Sequence, residues 1–123
     1  MKRKSHPTSR RAALDRKYSR CRVYAVELSP EVLDHRGFRD ANPHYIDGQA
    51  CVYIGMTSLS AEQRLHHHLK GIRFPSEIVH RFGVALRPEI LPATSAKPRS
   101  KAMKLEREIA RRLRAAGMGV WQG

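Results

Sequence analysis

Apolar and polar positions alternate with period two from Val23 to Leu28: Tyr24, Val26 and Leu28 fall on one face, Val23, Ala25 and Glu27 on the other. The spacing predicts a strand and marks the start of the fold. A second strand is predicted over Ala50–Gly55, where Val52 and Ile54 alternate with Cys51 and Tyr53. The stretch between them, Ser29–Gln49, is punctuated by Pro30, Gly37, Pro43 and Gly48 and carries no strong period. It reads as a functional loop or an insertion, with room for one short helical turn opened by Ser29-Pro30 and ending at Gly37.

Ser60 with Gln63 three residues on is a capping-box pair, and Gly71 supplies a stop, which predicts a helix over Ala61–Lys70. A shorter helix is predicted over Glu77–Phe82, capped by Ser76 and closed by Gly83. Val84–Leu91 reads as a third strand that Pro88 confines to an edge or a bulge. Ser100 is expected to cap the last and longest helix, which ends at Gly117. The order β-β-α-(α)-β-α predicts an α/β (α+β) fold.

Helical wheels single out charged residues that break the pattern. With Ile109 at zero and ~100° per residue, Ala102, Leu105, Leu113 and Ala116 lie within ~40° and define a buried stripe. Glu106 falls at ~60°, beside that stripe, whereas Arg107, Glu108, Arg111 and Arg114 point away. A carboxylate on a packed face needs a partner, which can be an ion pair with Arg64, a metal, or an acid/base role. On the first helix, Ala61, Leu65, Leu69 and Ile72 form the stripe, His68 lies on its edge, and Arg64 precedes it by one turn on the same side. His66 and His67 project elsewhere, so the three adjacent histidines cannot bind one metal as a cluster. Arg64 and His68 together suit a phosphate oxygen and a nearby acceptor.

Charge then narrows the partner. The 123 residues carry 24 Lys and Arg against 11 Asp and Glu, a formal +13, which points to a polyanion. Nine basic residues and one acidic lie in Met1–Arg22. Residues 1–22 are therefore read as a basic, flexible arm in which Arg11–Tyr18 can become helical on a partner, and 23–123 as the folded domain. Arg10, Arg11, Lys17, Arg20, Lys70 and Arg73 are the expected nucleic-acid contacts. No run approaches the ~18 apolar residues of a membrane span, and Met1–Arg20 lacks the apolar segment of a secretory signal, so no membrane partner and a cytoplasmic location are expected. Cys21 and Cys51 are too few for a disulfide framework and are expected to be reduced thiols.

Tyr53-Ile54-Gly55 in a strand, a polar turn through Thr57 and Ser58, Arg64 on the next helix and His68 one turn later resemble the core of the GIY-YIG nuclease superfamily. Arg22-Val23-Tyr24 occupies the place of the GIY half, and Ala102-Met103-Lys104-Leu105-Glu106 resembles the segment ending in the family's metal-binding glutamate. The resemblance covers most of Val23–Gly117. It departs in three places: Arg22 replaces a glycine, the linker from Tyr24 to Tyr53 is far longer than a hairpin turn, and the family's late asparagine is absent, with Gln122 as its candidate replacement. A lid or specificity loop would account for the long linker.

The resemblance implies a small three-stranded mixed or antiparallel sheet flanked by helices, and metal-dependent hydrolysis of phosphodiester bonds, in DNA in preference to RNA. Glu106 would hold one divalent cation, Mg²⁺ or Mn²⁺, and Arg64 would neutralise charge on the phosphate. Tyr24 would be the general base, which requires neighbouring cations because a free phenol has a pKa of about 10. Tyr53 would place the water or phosphate, with His68 as a second donor or an alternative proton acceptor. A catalytically silent nucleic-acid-binding module with the same fold is the alternative, since the charge alone binds phosphate backbones.

Overall fold

The computed structural model describes residues 20–91 and 94–123. The predicted alternation forms β1 (Arg20–Leu28), which has neighbours on both sides. It runs antiparallel to β2 (Cys51–Thr57), with Tyr24 opposite Gly55 and Val26 opposite Tyr53, and antiparallel to β3 (Gly83–Leu86) on its other side. Two strands join the expected three. The two-residue β4 (Lys97–Pro98) pairs with the start of β1, and β5 (Gly119–Gln122) lies parallel to β2, from Cys51 opposite Gly119 to Ile54 opposite Gln122. The result is the expected α/β class, built on a mixed five-stranded sheet.

The two faces of the sheet bury different helices. Tyr24, Val26, Leu28, Cys51 and Tyr53 pack with Val32, with Phe38 of α1 (Arg36–Ala41), with Ala61 of α2 (Ala61–Lys70), and with Ile78 and Val79 of α3 (Glu77–Phe82). Val23, Ala25, Val52, Ile54 and Val120 pack against Ala102 and Ala110 of α4 (Arg99–Ala115). β1 and β2 are thus core on both faces. β3 lies at the edge but stops at Leu86, short of the expected Leu91, and Pro88 falls in the turn that follows, where Ile90 and Leu91 donate to the Arg87 carbonyl.

Several boundaries differ from the sequence reading for local reasons. β1 begins at Arg20, so Arg20–Arg22, expected in the arm, belong to the sheet. Arg10, Arg11, Lys17 and the conditional helix Arg11–Tyr18 lie outside the described residues. Gly37 is inside α1 and does not end a turn: Pro30–Asp34 forms a 3-10 turn, and the His35 ring then caps the next helix by accepting from the Phe38 N–H at 3.1 Å. Ser100 does not cap α4. The extended backbone of Pro98, still paired to Arg20, leads straight into the helix at Arg99. The capping boxes fare better: Ser60 and Gln63 reciprocate, Gly71 ends α2 in the left-handed conformation, and Ser76 caps α3.

Both helical stripes are rotated from the expected ones. On α4 the fully packed line is Ala102, Glu106 and Ala110, with Leu105, Ile109 and Leu113 half-buried beside it and Ala116 exposed. Small side chains let this line approach the sheet, and they bring Glu106 to its middle. On α2, Leu69 and Ile72 remain 41% and 46% exposed while His68 is fully buried. The apolar count favoured the other face, but His68 finds a hydrogen-bond partner at each ring nitrogen, which removes the penalty for burying it.

Candidate active site

The parallel register of β2 and β5 ends at Ile54 and Gln122, and beyond it β2 runs on through Met56 and Thr57. A cleft of about 510 Å³ opens there. Tyr53 and Thr57 reach it from β2, Arg64 from α2, Glu106 from α4 and Gln122 from β5. Three of the five expected catalytic residues therefore share one cavity. Tyr24 and His68 are not among its lining residues and pack behind Tyr53, whose ring centroid is 6.1 Å from that of Tyr24 and 5.4 Å from that of His68.

Gly55 makes that packing possible. It lies opposite Tyr24, and a Cβ there would stand 2.5 Å from Tyr53 Cε2, 2.9 Å from the Tyr53 hydroxyl and 3.0 Å from the Tyr24 hydroxyl. Its backbone is ordinary, so the glycine supplies space and no special φ.

His68 has a defined proton. The Ser76 backbone N–H donates to Nδ1 at 2.8 Å, so Nδ1 is unprotonated in the neutral ring and the hydrogen resides on Nε2. Nε2 lies 2.9 Å from the Tyr24 hydroxyl oxygen, which must accept that hydrogen. Burial, then the charges of Arg64 and His67, push the His68 pKa down to about 4. His68 is thus a donor to Tyr24, and the role of proton acceptor expected as an option is closed to it in this arrangement. Tyr24 is itself pushed far above the ordinary phenol range, first by burial and next by Tyr53, with Arg64 working in the opposite direction. Tyr53 is also raised, chiefly by burial. Both tyrosines are phenols at neutral pH.

Arg64 is anchored by two carbonyls. Its Nη1 donates to Arg73 O at 2.8 Å and its Nη2 to Phe74 O at 2.7 Å, which leaves further N–H donors in the fork. The ion pair with Glu106 that the wheel allowed is not formed. Glu106 is buried and makes no salt bridge among the described residues; its carboxylate is raised by burial, against a lowering hydrogen bond from Gln122 and the charge of Arg107. Glu108 differs in every respect: it is half-exposed, bonds Arg111 at 2.8 Å and Arg112 at 3.0 Å, and its carboxyl is held below the usual range by Arg111. The wheel separated these two glutamates correctly.

No set of three His, Cys, Asp or Glu gathers among the described residues. A closed zinc-type cage is therefore not available there, whereas a cleft lined by one carboxylate and by the hydroxyl-bearing Tyr53, Thr57 and Ser58 fits a hard, partly hydrated divalent cation. Such a cation would also relieve the buried charge of Glu106.

Sequence reasoning missed several residues. Arg99 and Arg107 line the cleft and add positive charge to its rim; Arg107 points away from the α4 core, as the wheel shows, and that is the direction of the rim. Asn42 is buried. Its Nδ2 donates to Phe38 O and Val120 O at 2.8 and 3.0 Å, and its Oδ1 accepts from Val120 N and Arg114 Nε at 2.8 and 3.2 Å. Arg114 in turn donates to Gln122 Oε1 at 2.9 Å and Val120 O at 3.0 Å. Gln122, foreseen as a possible structural replacement, is thereby oriented toward Glu106.

Among the expected nucleic-acid contacts, Arg73 lines an adjoining cleft with Thr57, Ser58 and Arg64, and Lys70 is exposed at the end of α2. Arg20 donates to the Ala96 carbonyl at 3.1 Å and secures the β1–β4 corner. None of the residues Ser29–Gln49 lines the cleft of Glu106; that segment contributes Val32, Phe38 and Asn42 to the interior. Cys21 and Cys51 are buried free thiols. Among the described residues no helix is long and apolar enough to cross a membrane. No family model matches the chain, and no curated protein or solved structure matches it.

Proposed function

We propose that the chain is a metal-dependent endonuclease of the GIY-YIG type, which hydrolyses phosphodiester bonds in DNA with one Mg²⁺ or Mn²⁺. The observation that carries this reading is that Glu106, a buried carboxylate with no ion pair among the described residues, lines the same cleft as Arg64 and Tyr53. A role in stability alone does not account for it, since an ionised carboxylate held there opposes folding.

A phosphate entering the cleft meets the free donors of Arg64, with Arg99 and Arg107 on the rim. Arg64 would stabilise the charge that builds as phosphorus becomes five-coordinate. Glu106 would hold the cation and Gln122 would fix the orientation of its carboxylate. When bound, the cation supplies positive charge at the phosphate oxygens. Tyr53 would orient the attacking water, whose oxygen forms the new bond to phosphorus while the bond to the leaving sugar oxygen breaks. Tyr24 would act as base only as the phenolate, taking the water's proton by way of the Tyr53 hydroxyl while the leaving sugar oxygen is protonated from solvent. His68 Nε2–H and Arg64 favour that phenolate, against burial.

Supercoiled plasmid incubated with and without Mg²⁺ or Mn²⁺ tests the reading, with a transcript of the same sequence as the RNA comparison. Glu106→Gln should reduce metal-dependent cleavage by at least ~100-fold. Without metal its melting temperature should be unchanged or higher, because a neutral amide replaces a carboxylate that burial penalises. Glu108→Gln should cleave within about twofold of wild type, since its partners are solvent-exposed arginines. Full activity in Glu106→Gln, or equal losses in both variants, would overturn the assignment. The alternative, a silent binding module, is favoured by the strongly protonated state of Tyr24, and its signature is salt-sensitive DNA binding without cleavage under any divalent cation.

A further inference from the structure

Phe74 is the most exposed large apolar side chain among the described residues, at 96%. Its backbone is unusual as well. Arg73 and Phe74 both occupy the left-handed region, with φ of 59° and 54°, a conformation that side chains other than glycine rarely adopt, and Pro75 follows. Burial does not explain such a residue, because the ring is almost entirely in water.

The candidate active site holds the loop in this shape. Arg64 takes the Arg73 and Phe74 carbonyls, and His68 takes the Ser76 N–H at 2.8 Å. The ring therefore belongs to the same residue whose carbonyl the expected phosphate-binding guanidinium clamps. The adjoining cleft of about 290 Å³ is lined by Thr57, Ser58, Leu59, Arg64, His67 and Arg73, and it shares Thr57, Ser58 and Arg64 with the cleft of Glu106. Sharing these residues, the two adjoin as one trough lined from Glu106 to Arg73, the residue before Phe74. Along it, His67 Nδ1 is buried with no hydrogen-bond partner among the described residues, and Leu59 is 38% exposed.

An aromatic ring in water beside a cationic trough suits a nucleobase better than a protein side chain, because the neighbouring cations follow a phosphate backbone while the ring offers a π face to any base. We infer that Phe74 is a stacking platform for an unpaired base next to the phosphate bound at Arg64, so that the protein selects single-stranded or locally unpaired DNA over intact duplex. This rests on the nuclease reading for the placement of the phosphate. An intact duplex keeps its bases stacked on one another and offers the ring no free face.

The test measures binding without divalent cation, so that it is independent of cleavage. Fluorescence anisotropy of the full chain would be recorded with a labelled 20-nucleotide single strand, its duplex, and the duplex carrying a three-nucleotide bulge. Wild type should prefer the single strand and the bulge. Phe74→Ala should weaken both by about tenfold and leave duplex binding unchanged, and Phe74→Trp should restore the preference. Melting temperatures of both variants should match wild type, given the exposure of the ring. Equal affinity of wild type for all three DNAs, equal loss on all three in Phe74→Ala, no loss at all, or no DNA binding would each overturn the inference. If the stacking preference holds while Glu106→Gln cleaves normally, the catalytic assignment fails alone; if metal-dependent cleavage follows Glu106 and Phe74→Ala binds as wild type, the stacking role fails alone.

Discussion

His68 should make the fold acid-sensitive in a defined window. In the folded protein its pKa is pushed down to about 4 by burial and by Arg64 and His67, whereas an unperturbed histidine titrates near about 6.5. Between those values the unfolded chain binds a proton at this position that the folded chain refuses. The stability due to neutral His68 is therefore fully present above about pH 6.5, is lost as the pH falls toward 4, and changes no further below that. At ~1.36 kcal/mol per pH unit the loss is on the order of 3 kcal/mol. The structure explains why the proton is refused: Nδ1 already accepts from Ser76 N–H, and protonating it would turn that hydrogen bond into a clash of two donors beside the Arg64 charge. Urea denaturation of wild type and His68→Gln at pH 7.5 and 4.5 isolates the effect, since the other titrating groups are common to both chains. Wild type should lose on the order of 2–3 kcal/mol more than the variant across the window. Parallel losses in the two proteins would refute the buried, neutral, doubly bonded state of His68.

The tyrosine pair should behave as one proton-handling unit: Tyr24→Phe and Tyr53→Phe should each reduce cleavage by about 100-fold, and the double variant should be little worse than either. Additive losses in single-turnover assays would show two independent roles, and no loss would leave both as core residues. Asn42→Ala should destabilise the fold by about 3 kcal/mol in chemical denaturation, because it removes the side-chain acceptor for the buried Val120 N–H together with the donor to two carbonyls. A loss below about 1 kcal/mol would show that water or a backbone shift replaces those bonds.

The parts legible in the sequence are those governed by short-range physics. Period-two alternation located β1 and β2, and reciprocal or single caps located α2 and α3, because each signal is written within a few residues. Glu106 was legible for a different reason: a charge on an apolar stripe stands out wherever it occurs. β5 was not. Gly119–Gln122 is too short to show alternation, and it becomes a strand by pairing with β2 more than sixty residues earlier. Asn42 was invisible in the same way, since its partners Arg114 and Val120 are 72 and 78 residues away. The rotation of α2 was missed because the count of apolar residues cannot see that Ser76 N–H and the Tyr24 hydroxyl await His68 on the other face.

Long-range side-chain bonds also explain why the chain tolerates a segment as long as Ser29–Gln49. Counted along the chain it separates two strands that hydrogen-bond directly, so its closure adds entropy cost that rises only slowly with length. It contributes more than a connection: Val32 and Phe38 fill the interior, and Asn42 satisfies both the N–H and the C=O of Val120 on the side of β5 away from β2. A side chain thus performs there what another strand would otherwise do, and the sheet ends without an open edge at that point. Because Arg114 bridges Asn42 to Gln122, the same bonds fix a residue that lines the cleft with Glu106. The segment therefore acts on the cleft from behind the sheet. Loosening Asn42 should disturb Glu106 before anything lining the cleft has been changed.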